Sequence, residues 1–302
     1  MNSYKIWFKG EMLDKRDASI SVLSPTAQFG LNVFEGIRCY WSSKDSQLYA
    51  FRLHDHLSRL VDSTKLIRMP CPFNLEQLQH FFLESIVYNK LKENIAVRMT
   101  LFIDGEGTWH SEEMPSMFIS PIPTRINELI GRRACISSWE RINDNSMPPR
   151  IKCGANYISG RYAHLDARKA GFDLPIMLND LGHVAEGAGA CVFIIRNNKL
   201  ITPPFSASIL ESITRSSIIE FSEDLGLSVI ERDVGRTELY ISDEVFLCGS
   251  AAEITPITSV DNIKIGLGEV GPITKLLHQR YIDIVTGGVD KYIRWLTPVY
   301  PN

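Results

Sequence analysis

The stretch IKCGANYISG, residues 151–160, places Lys152 in surroundings that a surface lysine does not need. The lysine follows the β-branched Ile151 and precedes three small residues, after which Asn156 and Tyr157 open a predicted helix. An amine that acts as a nucleophile benefits from partial burial, because the loss of water favours its neutral form. The neighbours of Lys152 therefore predict a reactive amine instead of a solvated cation.

The composition argues against several classes of partner. Charged residues make up 22% of the 302 residues and the formal net charge is -3, so no strong field favours nucleic acid or an anionic membrane. The six cysteines are scattered without a CxxC pair or a histidine at metal spacing, so we expect reduced thiols and no metal site. No apolar run approaches about 20 residues and no signal-peptide pattern is present. We therefore expect a cytoplasmic protein with a small-molecule ligand.

Hydrophobic patterning predicts an α+β fold. Short strands are expected near the N-terminus, among them residues 18–22, and two amphipathic helices follow at 52–67 and 74–91, the second capped by Asn74. The second half mixes strands and helices without regular crossovers, which favours an α+β arrangement over a doubly wound parallel sheet. The predicted organisation is a small N-terminal domain over 1–122, an interdomain loop over 123–131 and a larger C-terminal domain over 132–302.

One glycine pattern resembles a nucleotide motif without its context. Gly266, Gly268 and Gly271 match GxGxxG, but a dinucleotide site also needs a βαβ unit and an acidic residue after the next strand. We instead predict a glycine-rich turn into a helix whose first residue is Pro272.

A carboxylate beside small residues has two interpretations. Glu186 ends an apolar stretch and is followed by the small residues 187–190, which allow a flat ligand or another backbone to approach closely. Such a carboxylate can pair with a protonated ring nitrogen. The alternative is a glutamate in a solvent-exposed β-turn.

Two features can hold a phosphate. Ser212 or Ile213 precedes a predicted helix, where the N–H groups of Ile213 and Thr214 and the Thr214 hydroxyl would face an anion. Arg59 lies on an otherwise apolar helix. The alternatives are a simple helix cap and an ordinary ion pair. Together with the reactive amine and the ring-pairing carboxylate, these features match the requirements of pyridoxal 5'-phosphate (PLP).

Eight motifs occur in order along nearly the whole chain. They are IWFKGEM, FGLNVFEGIR, FRLHDHLSRL, KCGANY, AEGAG, TPPFSASILESITR, ERDVGRTELYISDEVFLCGSAAEITPITSVD and GPITK. In this order they resemble the class IV (fold-type IV) PLP-dependent aminotransferases, and within them the branched-chain amino acid aminotransferases. The resemblance implies a small N-terminal α/β domain, a larger C-terminal pseudo-barrel domain that binds PLP, and a homodimer.

The resemblance also implies the roles of individual residues. Lys152 is similar to the Schiff-base lysine, Tyr157 to the tyrosine that binds the phenolic oxygen, and Glu186 to the pyridine-nitrogen glutamate. The implied phosphate ligands are Arg59, Ile213, Thr214 and Ser250, with Leu210 packed on the ring. The implied substrate pocket contains Phe29, Phe34, Arg98, Ala251 and Ala252, and the backbone N–H groups of residues 250–252 are expected to bind the substrate carboxylate.

Departures from the branched-chain pattern concentrate around the implied substrate. Phe29 and Ala96 stand where tyrosines are usual, so two hydroxyls that help to bind carboxylates are missing. Other departures are Arg125 and Asn127 in the interdomain loop, Ala190 and Cys191 after the AEGAG glycines, and Ser212 before the phosphate-binding pair. The cofactor chemistry is expected to be intact, while the substrate stays open.

The implied reaction is a two-stage, ping-pong transfer of an amino group from an amino acid to a 2-oxo acid such as 2-oxoglutarate. The donor is a branched-chain amino acid or a related specialised substrate. The alternatives are a PLP lyase of the aminodeoxychorismate lyase type, a D-amino acid or R-amine transaminase, and a cofactor-free binding protein.

Overall fold

The computed structural model describes residues 4–301, which form two compact units. The first comprises the chain up to Ile126, Ile151–Ala155 and the chain from Asp283, and the second comprises Asn127–Arg150 and Asn156–Ile282. The short segment that carries Lys152 therefore belongs to the first unit, although the residues on both sides of it belong to the second.

The described residues contain the following elements. The strands are β1 (Lys5–Phe8), β2 (Glu11–Asp14), β3 (Asn32–Ser42), β4 (Gln47–Phe51), β5 (Ile95–Phe102), β6 (Ser116–Pro123), β7 (Arg132–Ile136), β8 (Leu174–Leu178), β9 (Val184–Gly187), β10 (Cys191–Arg196), β11 (Lys199–Thr202), β12 (Ser228–Glu231), β13 (Glu244–Gly249), β14 (Glu253–Val260), β15 (Ile263–Lys264) and β16 (Leu296–Pro298). The helices are α1 (Pro25–Phe29), α2 (Leu53–Leu66), α3 (Leu75–Asn89), α4 (Tyr157–Lys169), α5 (Ile213–Asp224), α6 (Arg236–Tyr240) and α7 (Pro272–Val285), with 3-10 turns at Phe205–Ala207 and Asp290–Trp295.

The first unit is built on an antiparallel sheet in the order β16-β4-β3-β5-β6-β1-β2, on which α2 and α3 pack. Alternate residues of the long central strand β3 point inward, among them Val33 and Ile37, which are fully buried. Ile151 and Cys153 join the same hydrophobic core. The segment around Lys152 is thus fixed by apolar neighbours on either side of the lysine.

Local sequence signals explain where the helices of this unit begin. Asn74 accepts a hydrogen bond from the Gln77 N–H, and the Gln77 side chain accepts one from the Asn74 N–H, so α3 opens with a capping box. The predictions of α2 and α3 are confirmed. The predicted strand over residues 18–22 is wrong, because this stretch has no strand partner among residues 4–301 and leaves Val22 81% exposed.

The second unit contains a sheet in the order β12-β11-β10-β13-β14-β7-β8-β9, in which β9 also pairs with β10. This pairing closes β10, β13, β14, β7, β8 and β9 into a six-stranded barrel, so the predicted pseudo-barrel is confirmed. The predicted glycine-rich turn is also confirmed: α7 begins at Pro272, and Glu244 accepts hydrogen bonds from the N–H groups of Ile273 and Thr274. Across residues 4–301, we find no helix with the length and apolarity to cross a bilayer.

Candidate active site

Lys152 is held by its backbone beside β3 of the first unit. Its carbonyl accepts a hydrogen bond of 2.9 Å from the Phe34 N–H, and its own N–H donates to the Ser63 hydroxyl at 3.1 Å. The next residue, Cys153, forms an isolated antiparallel β-bridge with Val33. The backbone is fixed by these hydrogen bonds and both flanking side chains lie in the core, while Lys152 itself is half-buried.

Phe34 lies next to two cationic side chains. The Lys152 Nζ atom is 5.2 Å from the centre of the Phe34 ring, and the Arg98 guanidinium carbon is 4.1 Å from it. The ring face is electron-rich and can contact cations in this way. Three residues predicted for one site are therefore neighbours in the first unit.

Arg59 is anchored by a buried carboxylate. Its Nε atom donates to Glu35 Oε1 at 2.7 Å and its Nη2 atom to Oε2 at 2.8 Å, while His56 Nδ1 lies 2.7 Å from the same Oε2. Glu35 is fully buried and His56 nearly so. The predicted phosphate ligand Arg59 is thus one member of a hydrogen-bonded triad between β3 and α2.

The triad has a definite charge distribution. Burial by itself would raise the pKa of the Glu35 carboxyl, but Arg59 and His56 together outweigh this effect and hold that pKa well below its usual range. Burial lowers the pKa of His56, against the opposing effect of Glu35. Glu35 is therefore ionised, Arg59 is its counterion, and His56 is neutral with its Nδ1–H donating to the carboxylate.

Glu186 is a buried carboxylate of the second unit. It lies in β9 and is 3% exposed, so the alternative of a solvent-exposed turn glutamate is wrong. Arg141 binds its Oε1 atom through Nε at 2.7 Å and Nη2 at 2.6 Å, and the Leu210 N–H lies 3.4 Å from the same oxygen. The Oε2 atom lies 3.6 Å from the Cys191 Sγ atom. Burial, and after it the Glu186 carboxylate, raises the pKa of the Cys191 thiol well above its ordinary value.

The turn after Glu186 packs closely on the start of α4. A Cβ atom on Gly160 would lie 2.5 Å from the Ala188 carbonyl oxygen, so only glycine allows this approach of helix and turn. Tyr157, the first residue of α4, is brought alongside the turn, with its Cε1 atom 3.5 Å from where a Gly189 Cβ would be. The structure thus brings Tyr157 and the segment after Glu186 together.

Helix α5 begins as predicted. Ser212 is its N-cap and accepts a hydrogen bond from the Arg215 N–H at 3.2 Å, which places Ile213 and Thr214 in the first turn. Both residues are buried, and the helix is 12 residues long. Its first turn offers backbone N–H groups at the positive end of the helix dipole.

The predicted substrate residues of the second unit lie in one loop. Ser250, Ala251 and Ala252 link β13 to β14, and the Asn127 side-chain amide donates to the Ala251 carbonyl at 2.8 Å. Phe29, by contrast, ends α1 in the first unit and is 47% exposed.

Two anchoring residues were missed in the sequence. Glu35 had a readable signal, because it falls on the inward face of an alternating strand, where an acidic residue needs a partner. Arg141 lies outside the strands and helices of the chain and carried no such signal. Its pairing with Glu186 depends on the folded chain alone.

The chemistry of these residues fits PLP. The PLP aldehyde requires an amine, its ring nitrogen requires a carboxylate, and its phosphate requires a helix start with free N–H groups. The structure contains a half-buried amine, a buried carboxylate fixed by an arginine, and such a helix start. The candidates for these groups are Lys152 in the first unit, and Glu186 and the first turn of α5 in the second.

Comparison with known proteins identifies the family. The model of the amino-transferase class IV family matches residues 32–260. The chain is 38% identical over 300 residues to a probable branched-chain-amino-acid aminotransferase of Aquifex aeolicus, covering 97% of this chain and 96% of the relative. It is 36% identical over 311 residues to the branched-chain-amino-acid aminotransferase of Escherichia coli, covering 97% of each.

Solved structures agree with the sequence comparison. The branched-chain aminotransferase of Thermoproteus uzoniensis with norvaline has a TM-score of 0.94 and 39% identity, covering 99% of this chain and 100% of the other. The branched-chain amino acid aminotransferase of Thermobaculum terrenum in its PLP form has the same score and identity, covering 99% of each chain. The chain therefore belongs to the class IV aminotransferases, with the two-domain fold-type IV architecture, PLP as cofactor and transamination as reaction.

Proposed function

We propose that the chain transfers the amino group of a branched-chain or similarly apolar amino acid to a 2-oxo acid such as 2-oxoglutarate. The relatives named as branched-chain aminotransferases support the donor class. The apolar ring of Phe34, with Arg98 beside it, supports a pocket that accepts an apolar side chain together with an acid group. No nucleic acid or membrane partner is part of the proposal.

Lys152 is the proposed catalytic residue. Bound PLP supplies an aldehyde that captures an amine and a ring that draws electrons from the substrate α-carbon. Lys152 would hold the cofactor through this aldehyde, and its amine would be free to act once a substrate amine took its place. The freed Nζ atom then takes the α-proton as a general base and returns it as a general acid. The backbone hydrogen bonds of Lys152 to Phe34 and Ser63 support this role, since they fix the backbone from which the side chain extends.

Glu186 is the proposed partner of the ring nitrogen, and its buried pairing with Arg141 is the observation that carries the proposal. Arg141 and Leu210 donate to Oε1, whereas a weakly donating thiol faces Oε2. Oε2 is therefore the oxygen best suited to accept a ring N–H. Arg141 pairs with this buried carboxylate, so neither group is buried without a partner.

The remaining proposed contacts hold the two ends of the cofactor. We assign the phosphate to the first turn of α5, Ile213 and Thr214, with Arg59 and Ser250, and the phenolic oxygen to Tyr157. Leu210 packs on the ring in this assignment. The capped, 12-residue α5 supports the phosphate assignment, because a helix start stabilises an anion through its N–H groups and its dipole.

Phe29, Phe34, Arg98, Ala251 and Ala252 are the proposed substrate contacts. Ala96 lies on β5 two residues before Arg98, where it offers no hydroxyl. Recognition of the carboxylate then falls more heavily on backbone N–H groups and on cationic side chains.

We further propose a cytoplasmic homodimer. All six cysteines are free thiols, which fits a reducing compartment. Trp109, which lies between β5 and β6, is 70% exposed, as expected of a residue that a second copy covers. Light scattering of the purified protein tests the dimer directly.

A spectrum followed by a donor screen tests the function. The purified protein should show a visible absorption band that bleaches with branched-chain amino acids and returns with 2-oxoglutarate. Lys152→Ala should still bind PLP without the covalent bond but should not transaminate a substrate. The matched control is Lys92→Ala, at an exposed lysine, which should bind PLP and transaminate as the wild type does. A colourless protein that does not take up PLP, or steady-state transamination by Lys152→Ala, would contradict the proposal.

A further inference from the structure

The loop of Ser250, Ala251 and Ala252 offers backbone N–H donors, whereas most of its backbone carbonyls already accept a hydrogen bond. The Ala251 carbonyl accepts from Asn127 Nδ2 at 2.8 Å, and the Ala252 carbonyl accepts from Thr255 Oγ1 at 2.7 Å. Within residues 4–301, none of the three loop N–H groups donates a hydrogen bond. A short loop in which two of the three carbonyls are occupied and the successive N–H groups are available is suited to an anion.

Asn127 is fixed independently of the bond that its side chain makes. Its backbone N–H donates to Glu253 Oε2 at 2.7 Å, and Glu253 is fully buried. The side-chain amide therefore reaches Ala251 from a backbone that is already anchored to β14.

The amide controls the direction of one loop N–H. The peptide bond between Ala251 and Ala252 is trans, so its C=O and N–H groups point in opposite directions. When Asn127 holds the carbonyl on one side, the Ala252 N–H must face the other. We propose that Asn127 is a positioning residue that presents the loop N–H groups to the α-carboxylate of the substrate.

This inference rests on the proposed function, in which the same loop binds the carboxylate, and it adds the residue that orients it. One hydrogen bond of this kind contributes modestly, so the expected loss of carboxylate affinity without it is about 3- to 10-fold. The loss should appear in substrate binding and leave the proton transfer by Lys152 largely unchanged.

The test compares Asn127→Ala with Glu128→Ala, an exposed neighbour in the same segment, in the PLP-loaded protein. The probe is 4-methylvalerate, a carboxylate without an amino group, whose acid is bound in the crystal structure of a branched-chain amino acid aminotransferase that is 33% identical to this chain. Its Kd is measured from the change in the visible spectrum, and KM and kcat are measured for the amino donor. Asn127→Asp is a second variant, since it keeps the shape and removes the donor.

We expect the Kd of 4-methylvalerate and the KM of the donor to rise about 3- to 10-fold in Asn127→Ala, with kcat within about 2-fold and PLP content unchanged. Asn127→Asp should lose at least as much, because its charge repels both the Ala251 carbonyl and the ligand. A Kd equal to that of Glu128→Ala in both variants overturns the inference. A wild-type protein that transfers no amino group refutes the proposed function instead, so the two failures are distinct.

Discussion

Replacing Glu35 by glutamine tests the buried triad of the first unit. The substitution keeps the shape of the side chain but removes the charge that receives two Arg59 hydrogen bonds of 2.7 and 2.8 Å. Arg59 is only 12% exposed in its side chain, so its guanidinium would be left without a counterion in a largely dry environment. Breaking a buried pair in this way costs about 3–5 kcal/mol of unfolding free energy.

The magnitude is supported by the number of bonds lost. Each charge-assisted hydrogen bond contributes roughly 1.5–3 kcal/mol, so two of them give about 3–6 kcal/mol, which overlaps the range for breaking a buried pair. The Nδ1–H of His56 also donates to this carboxylate and would have to share a neutral amide. Without Glu35 the Arg59 guanidinium would also lose its fixed position. The affinity for PLP should then fall, because we assign Arg59 to the phosphate.

Urea unfolding of the PLP-free protein measures the effect, with Glu106→Gln on an exposed loop as the matched control. A double-mutant cycle with Arg59→Met should show strong coupling, because removing both charges leaves neither one buried and unpaired. A loss of less than about 1 kcal/mol in Glu35→Gln, or additive effects in the cycle, would refute the description of a charged, buried triad.

Two further predictions concern single side chains. Burial lowers the pKa of His56, so the unfolded state binds more protons than the folded state below about pH 6.5. The unfolding free energy should therefore fall by up to about 1.4 kcal/mol for each pH unit below that value. Urea titrations at several pH values should show a flatter slope for His56→Gln. An unchanged slope in the variant would show that His56 is not the titrating group. Glu186→Gln should reduce kcat/KM by about 100-fold or more, since a positioned charged group is lost. The control is Glu140→Gln, because Glu140 is an exposed glutamate next to Arg141, and this variant should keep the wild-type steady-state rates. A near-normal rate in Glu186→Gln would remove the ring-nitrogen assignment.

Local features of the fold were predictable because they depend on neighbouring residues. Asn74 and Gln77 form a capping box three residues apart, Pro272 starts α7, and Ser212 caps α5. Periodicity alone misled at residues 18–22, where alternating isoleucine and valine lie in an irregular segment. Alternation predicts a strand only where a partner strand is available.

Long-range pairings were beyond what the pattern of residues can predict. The closure of the barrel depends on the single pairing of Cys191 with Glu186 between β9 and β10. Arg141 finds Glu186 across 45 positions, and no spacing rule connects them. The residues predicted from chemistry, Lys152 and Glu186, were recognisable because a cation or a carboxylate among small and apolar neighbours is costly unless it is used.

The most direct test of the account is to locate the covalent bond. The PLP-loaded protein is reduced with borohydride, digested and analysed by mass spectrometry, which makes the lysine–cofactor bond permanent and identifies the peptide that carries it. We expect the reduced cofactor on Lys152 and on no other lysine. Modification of a different lysine, with Lys152 unmodified, would contradict the central claim.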